Sequence, residues 1–162
     1  MFLFLLGLLA TKCFMFIALP FNCCDKICNV PCPTQQQFSL THSFTVFPDD
    51  LNYAGSLFGG KLLSEMDIAA ATLARKLLDV TDCEAAVTVK VGQVEFLSPA
   101  RLGDYVFMEV EVTRLGTTSI EMHLKVQAES MSGVVTHICE ADFTFVALKA
   151  GKPHPHFLKR IK

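Results

Sequence analysis

The sequence predicts an α+β domain in which one long helix is covered by a curved antiparallel sheet. Residues 60–77 carry apolar side chains at helical spacing, and later segments alternate apolar and polar residues with a period of two. The links between those later segments are short and contain Gly, Pro or Ser. With 162 residues, 51% of them hydrophobic, the chain is long enough for one domain with a sizeable core.

The first 37 residues differ from the rest in composition. An almost purely apolar run extends to Leu19 and is stopped by Pro20. We therefore expect residues 1–37 to be a leader and linker outside the fold, and residues 38–162 to form the domain. Three interpretations of the leader stay open: a secretory signal, a membrane anchor or a mis-assigned start. A membrane anchor would associate the protein with a membrane.

Five of the seven cysteines also lie in the leader, and their spacing matches no metal site completed by a nearby histidine. None of the five histidines has a partner at ligand spacing, so we expect structural or surface positions for them and no metal. Net charge is −2 and the basic residues are scattered, so we expect no nucleic-acid partner.

The elements of the domain follow in order. A strand is predicted over residues 38–47, ended by the turn "PDDLN", and the helix comes next. We expect one stripe of the helix to pack on the sheet and the opposite side to face away. The stripe contains Leu62, Met66, Ala69, Leu73 and Leu77; the opposite side contains Lys61, Glu65, Arg75 and Lys76.

Four strands are predicted after the helix. They cover residues 85–98, with an interruption at Gly92, and residues 104–115, 118–129 and 134–149. In the second and third of these, the even-numbered positions 106–112 and 120–126 are apolar and should face the core. Because the connections are short, we expect strands that follow one another in the chain to be antiparallel neighbours.

Asp67 is the residue that the helix pattern does not explain. It belongs to neither side of the helix, and no Lys or Arg lies three or four positions away. Small side chains around it, such as Ala70 and Ala71, leave room for another group to approach. Asp67 is therefore either a functional carboxylate or a residue that faces solvent or caps a loop.

The helix is preceded by "GSLFGG", which contains Gly55, Gly59 and Gly60. Glycines here allow the backbone amides to approach a ligand closely, and a helix N-terminus carries partial positive charge. A carbonyl oxygen that gains negative charge would be stabilised at such a place. The same glycines could instead serve only a tight turn and close helix packing.

Three separated stretches, "PDDLNYAGSLFGGKLLSEMDIAAATLA", "VEFLSPARLGDYVFMEVEVTRLGTTSIEM" and "FTFVALKAGKPHP", resemble the hot-dog-fold acyl-CoA thioesterases. The group that the sequence resembles contains bacterial YciA-type enzymes and the brain-type cytosolic acyl-CoA hydrolases. The resemblance implies a single hot-dog domain that hydrolyses acyl-CoA thioesters. It also implies a homodimer with active sites at the subunit interface, a trimer of dimers as a further possibility, and a cytoplasmic location.

The resemblance assigns roles to particular residues. Asp67 matches the catalytic aspartate, as a general base or as a nucleophile, and Asn52, Gly59 and Gly60 complete the catalytic set. Substrate-binding positions would be Gly55, Phe58, Arg114, Gly116, Thr117, Thr118 and Ser119, with Arg114 directed to a CoA phosphate. No cofactor is implied, because CoA is part of the substrate.

The sequence departs from the family pattern at Gly92, where a polar or acidic residue is usual, and at Thr117, where a basic residue is common. Two rival functions stay open. A non-catalytic acyl-CoA or lipid-binding module would explain these departures as lost turnover. A dehydratase of the same fold would need a histidine near the start of the helix, and none occurs between Phe44 and His123.

Overall fold

The computed structural model describes residues 39–158, which form one helix and a six-stranded antiparallel sheet. The helix is α1 (Gly59–Leu78), and a short 3-10 turn, Pro48–Asp50, precedes it. The strands are β1 (Ser39–Thr45), β2 (Ala85–Phe96), β3 (Tyr105–Leu115), β4 (Ser119–Glu129), β5 (Val135–Lys149) and β6 (Lys152–Pro153). The predicted α+β class and the bounds of the elements are confirmed to within a few residues. The predicted leader lies outside the described residues.

The order of strands in the sheet is β1-β3-β4-β5-β2, with β6 paired to the end of β5. The short turns after β3 and β4 do join antiparallel neighbours, as predicted. The link from β2 to β3 does not, and that prediction is wrong. Its eight residues, 97–104, carry the chain from one edge of the sheet to the strand beside β1, because β2 pairs with β5 instead.

The core lies between α1 and one face of the sheet. All five residues of the predicted helix stripe are buried, and Ala70, Ala74 and Leu78 join them. In β3 and β4 the predicted apolar positions are at most 8% exposed, and the residues between them turn outward. The period of two therefore predicted correctly which face of the sheet packs on the helix.

Strand β2 is unusual because none of its twelve residues is buried. It forms one edge of the sheet, and Val87, Val89 and Val91 are between 41% and 55% exposed. Its pairing with β5 slips between Val91 and Val94, so the predicted interruption at Gly92 is confirmed. A long exposed edge rich in valine is a surface that proteins normally cover.

The chain after β5 folds back on the sheet, which the sequence patterns did not predict. Gly151 has a φ of +71° and makes the turn into β6, and the following residues run along the end of the sheet as far as Leu158. Within residues 39–158, no helix is both long and apolar enough to cross a membrane.

Candidate active site

The loop that leads into α1 is organised by Asn52. Its Oδ1 accepts hydrogen bonds from the amides of Ala54 (2.8 Å) and Ser56 (3.2 Å), and its Nδ2 donates to Ser56 Oγ (3.0 Å). Gly55 completes the turn with a φ of +76°, a conformation that favours glycine. The side chain predicted to be catalytic therefore also shapes the loop that carries it.

The start of α1 is open to a ligand. Phe58 is the N-cap residue, and its side chain makes no capping hydrogen bond, so the first-turn amides of the helix keep free donors. Gly59 lies against the ring of Phe96, where a Cβ atom would be 3.2 Å from Cζ. Phe58 and Gly60 are exposed beside it. This arrangement suits an oxygen that gains negative charge.

A cavity of about 330 Å³ adjoins this helix terminus. Asn52 and Gly59 line it together with apolar residues from α1, from the end of β2 and the link after it, and from β5, among them Leu62, Phe96 and Ile138. The structure therefore brings two of the predicted catalytic residues to one cavity. Asp67 is not among the residues that line it.

Asp67 lies two turns further along α1 and contacts the exposed edge strand. Its Oδ1 accepts a hydrogen bond of 2.7 Å from Thr88 Oγ1 of β2, and the residue is partly exposed. Among residues 39–158 it forms no ion pair. The hydrogen bond fixes one oxygen of the carboxylate and leaves the other available.

The distance between Asp67 and the helix terminus determines whether one chain can bring both to the same substrate. Asp67 is eight positions after Gly59, and a rise of about 1.5 Å per residue places them about 12 Å apart along the axis. A base that activates water and the donors that bind the carbonyl oxygen must act on adjacent atoms of one substrate. The two halves of the predicted catalytic set are therefore too far apart to serve one substrate within a single chain.

Glu65 does not face solvent, in contrast to the prediction from the helix projection. Its carboxylate contacts His42 Nε2 at 3.0 Å and Lys61 Nζ at 2.7 Å, and its side chain is 15% exposed. Burial acts to raise the pKa of Glu65, but the hydrogen bonds and charges of Lys61 and His42 outweigh it and lower that pKa. Arg75 and Lys76 on the same side are exposed as predicted, and Glu65 departs from the projection because His42 of β1 lies against it.

The remaining predicted substrate residues lie at the turn between β3 and β4. Arg114 is exposed and donates a hydrogen bond of 2.9 Å to Glu121. At Gly116 a Cβ atom would be 2.3 Å from Ser119 Oγ, so a side chain there would force the Ser119 hydroxyl to move. None of the predicted turn residues lines the cavity at the helix terminus.

Comparison with known proteins identifies the family. Residues 54–143, more than half of the chain, match the model of the thioesterase superfamily. This chain belongs to the thioesterase superfamily. The acyl-CoA thioester hydrolase YciA of Escherichia coli is 35% identical to it over 130 residues, which cover 77% of this chain and 92% of the relative.

Solved structures of acyl-CoA thioesterases resemble this thioesterase in fold. A hexameric acyl-CoA thioesterase aligns with a TM-score of 0.68 and 35% identity, covering 74% of this chain and 75% of that one. The acyl-CoA hydrolase of Staphylococcus aureus aligns with a TM-score of 0.66 and 29% identity, covering 74% and 71%. The predicted hot-dog fold and the predicted thioesterase family are both confirmed.

Two residues that contact the predicted site residues, Thr88 and His156, could not be recognised from the sequence. Thr88 looked like one of several β-formers in a strand, and only the packing of β2 beside α1 reveals its bond to Asp67. His156 was expected to be structural or on the surface; it is in fact 1% exposed. Within residues 39–158 no group of three or more ligating side chains could hold a metal ion.

Proposed function

We propose that this thioesterase hydrolyses acyl-CoA to a free fatty acid and CoA, in active sites that two copies of the chain share. The observation that carries the proposal is the pair of half-sites on α1: open amides at the helix terminus and a hydrogen-bonded carboxylate two turns away. Family membership supports the substrate class, because the relatives that match are named acyl-CoA thioester hydrolases.

The residue assignment draws support from the S. aureus hydrolase, which was solved with butyryl-CoA and CoA and as three alanine variants. The variants replace an asparagine, an aspartate and a threonine. The replaced aspartate follows the replaced asparagine by fifteen residues, which is the spacing between Asn52 and Asp67 here. Thr88 lies beside the aspartate in this chain, but it follows Asp67 by twenty-one residues, whereas the replaced threonine follows its aspartate by seventeen.

The chemistry requires three functions. The first-turn amides of α1 receive the thioester oxygen and stabilise its negative charge as water attacks the carbonyl carbon. Asp67 takes the proton of that water, and the hydrogen bond from Thr88 orients the carboxylate. When the C–S bond breaks, the electron pair leaves on the CoA sulfur, and Asp67 returns the proton to it. No step of this proposed reaction uses a metal or a redox cofactor.

A second copy of the chain would complete the site. Gly59 and Asp67 are about 12 Å apart in one chain, so the amides of one copy and the carboxylate of another must meet. The exposed edge strand β2, which holds Thr88 beside Asp67, is the natural surface for that contact. A homodimer, alone or within a trimer of dimers, satisfies both requirements.

The CoA part of the substrate is assigned to the turn between β3 and β4. Arg114 offers a guanidinium to a phosphate, although it must share that group with Glu121. Thr117, Thr118 and Ser119 offer backbone or hydroxyl donors, and the amide of Gly116 closes the turn by its bond to the carbonyl of Ser119. The acyl chain is assigned to the cavity beside Gly59, which is lined mostly by apolar residues. The proposed location is the cytoplasm, which is one of the compartments that contain acyl-CoA.

The test compares Asp67→Asn with Asp79→Asn in the full chain. Asp79 is an exposed acidic residue just after α1, so its variant controls for the loss of one negative charge. Hydrolysis of butyryl-CoA should fall by two to four orders of magnitude in Asp67→Asn and stay unchanged in the control. Binding of acyl-CoA without turnover by the wild type would instead indicate the non-catalytic module.

A further inference from the structure

The chain after β5 carries a buried histidine that the proposed chemistry does not use. His156 is 1% exposed and, within residues 39–158, it is the one polar or charged residue that is fully buried. A buried imidazole needs a hydrogen-bond partner for each ring nitrogen. The partners of His156 lie in the turn between β3 and β4 and in the tail itself.

The hydrogen bonds define the state of the ring. His156 Nε2 lies 3.2 Å from the carbonyl oxygen of Ser119, and Nδ1 accepts a bond of 3.1 Å from the amide of Leu158. A carbonyl only accepts, so Nε2 carries the proton; an amide only donates, so Nδ1 does not. The ring is therefore a neutral imidazole of one tautomer that joins the turn to the tail.

The tail makes its connection through an uncommon backbone conformation. Phe157 has a φ of +54°, which side chains with a Cβ rarely adopt, and its own side chain is 79% exposed. That conformation returns the amide of Leu158 to the ring of His156. Before this point in the chain, Asp82 contacts both Lys149 and His154 and holds the first part of the tail against the fold.

Three of the four carbonyls in the turn from Gly116 to Ser119 accept hydrogen bonds from inside the fold. The carbonyl of Thr117 accepts from the amide of His156 (3.2 Å), that of Thr118 from Ala147 (2.8 Å), and that of Ser119 from Gly116 (2.8 Å) as well as from the His156 ring. The amides and hydroxyls of Thr117 and Thr118 have no partner among the described residues. The turn thus offers donors to an anion.

We propose that His156 is a positioning residue for CoA: it holds the 116–119 turn in the shape that presents these donors and Arg114 to CoA phosphate. The inference rests on the proposed function, since it assumes that the turn binds CoA. His156 itself touches no substrate, because its ring is buried behind the turn. Its effect should be confined to substrates that carry the nucleotide.

Two amide side chains separate the two ring bonds. In His156→Gln the side-chain nitrogen can take the place of Nε2 and keep the bond to Ser119, while the bond to Leu158 is lost. In His156→Asn the amide can take the place of Nδ1, so the bond within the tail is kept and the bond to the turn is lost. The two variants have the same polar group. His156→Gln loses the hydrogen bond to the tail, and His156→Asn loses the hydrogen bond to the turn.

The kinetics of the full chain are measured with butyryl-CoA and with the butyryl thioester of N-acetylcysteamine, which lacks the nucleotide. We expect His156→Asn to raise the KM for butyryl-CoA roughly fivefold to tenfold with an unchanged kcat, as the loss of one hydrogen bond to the turn predicts. His156→Gln should stay close to wild type. Neither variant should change hydrolysis of the truncated thioester.

Equal effects of the two variants, or equal effects on the two substrates, would mean that His156 only stabilises the fold. If the wild type hydrolyses butyryl-CoA no better than the truncated thioester, the thioesterase function stands and the role of His156 fails. If it hydrolyses neither, the proposed function fails first.

A measurement on the wild type does not depend on folding of the variants. The ring nitrogens of His156 should shift in ¹⁵N NMR spectra when free CoA is added, because the phosphates bind the turn that the ring supports. Butyrate, which lacks phosphate, should leave them unchanged. Unshifted ring nitrogens at saturating CoA would overturn the proposal.

Discussion

Replacement of Thr88 by valine tests how the carboxylate of Asp67, the proposed general base, is oriented. Valine keeps the shape of threonine and exchanges the hydroxyl for a methyl group, so it removes the 2.7 Å bond to Asp67 Oδ1 and little else. Strand β2 contributes no buried residue, so the substitution should leave the core intact. The expected defect is therefore in turnover rather than in folding.

The size of the defect follows from that one bond. A hydrogen bond to a charged acceptor contributes about 1.5–3 kcal/mol. Thr88 is exposed and Asp67 partly so, and water replaces some of the lost interaction in the variant. A remainder of about 1–2 kcal/mol predicts a kcat that is roughly fivefold to thirtyfold lower, with KM nearly unchanged, because each 1.36 kcal/mol corresponds to a factor of ten.

The assay follows the loss of thioester absorbance, because the seven cysteines of the chain would react with a thiol reagent. Thr88→Ser is the matched variant, since it keeps the hydroxyl and removes the methyl group, and it should retain most of the activity. An unchanged kcat in Thr88→Val would refute the orienting role. An equal loss in Thr88→Ser would assign the effect to packing.

Three further predictions concern the shared site, the acidic network and the buried thiol. Co-expression of Asp67→Asn with Asn52→Ala should restore about one quarter of wild-type activity, since half of randomly mixed dimers would contain one intact site; no recovery would contradict shared sites. Glu65→Gln should lower the free energy of unfolding by about 1 kcal/mol at neutral pH. The lowered pKa of Glu65 means that this difference is present above pH 4.5 and disappears as pH falls further, which denaturant unfolding at several pH values would reveal. Burial and the charge of Glu140 raise the pKa of Cys139 to about 11, so peptide mapping should show Cys139 alkylated only after denaturation.

The elements of this fold were predictable because each has a local cause. The helix stripe and the alternation in β3 and β4 record burial on one face, and these patterns are visible in single segments. The order of strands in the sheet leaves no such pattern in any single segment of the sequence. A link of eight residues can join neighbours or cross the sheet, and only the packing of β1 beside β3 decides between them.

The candidate site was predictable only in part for a related reason. Asp67 stood out because it breaks the pattern of its own helix, and the glycines stood out because they precede that helix. Thr88 and His156 break no pattern, since each acquires its role from a segment distant in sequence. Glu65 was misplaced because a helix projection identifies the sheet-facing side but not a second strand, β1, that covers the flank.

The position of β2 at an edge of the sheet bears on the proposal that two chains share the active site. Its valines indicate burial, yet no residue of β2 is buried within one chain, and the strand lies at an edge of the sheet. Its hydrophobic content is therefore explained best by a surface that a second copy covers. Thr88 and Asp67 meet at this edge, and under the proposed shared site the contact that covers the valines is also the one that brings the carboxylate to the helix terminus of the partner. Assembly and catalysis would then depend on one surface, and a charged residue at Val89 should abolish both together, whereas Asp67→Asn should abolish catalysis alone.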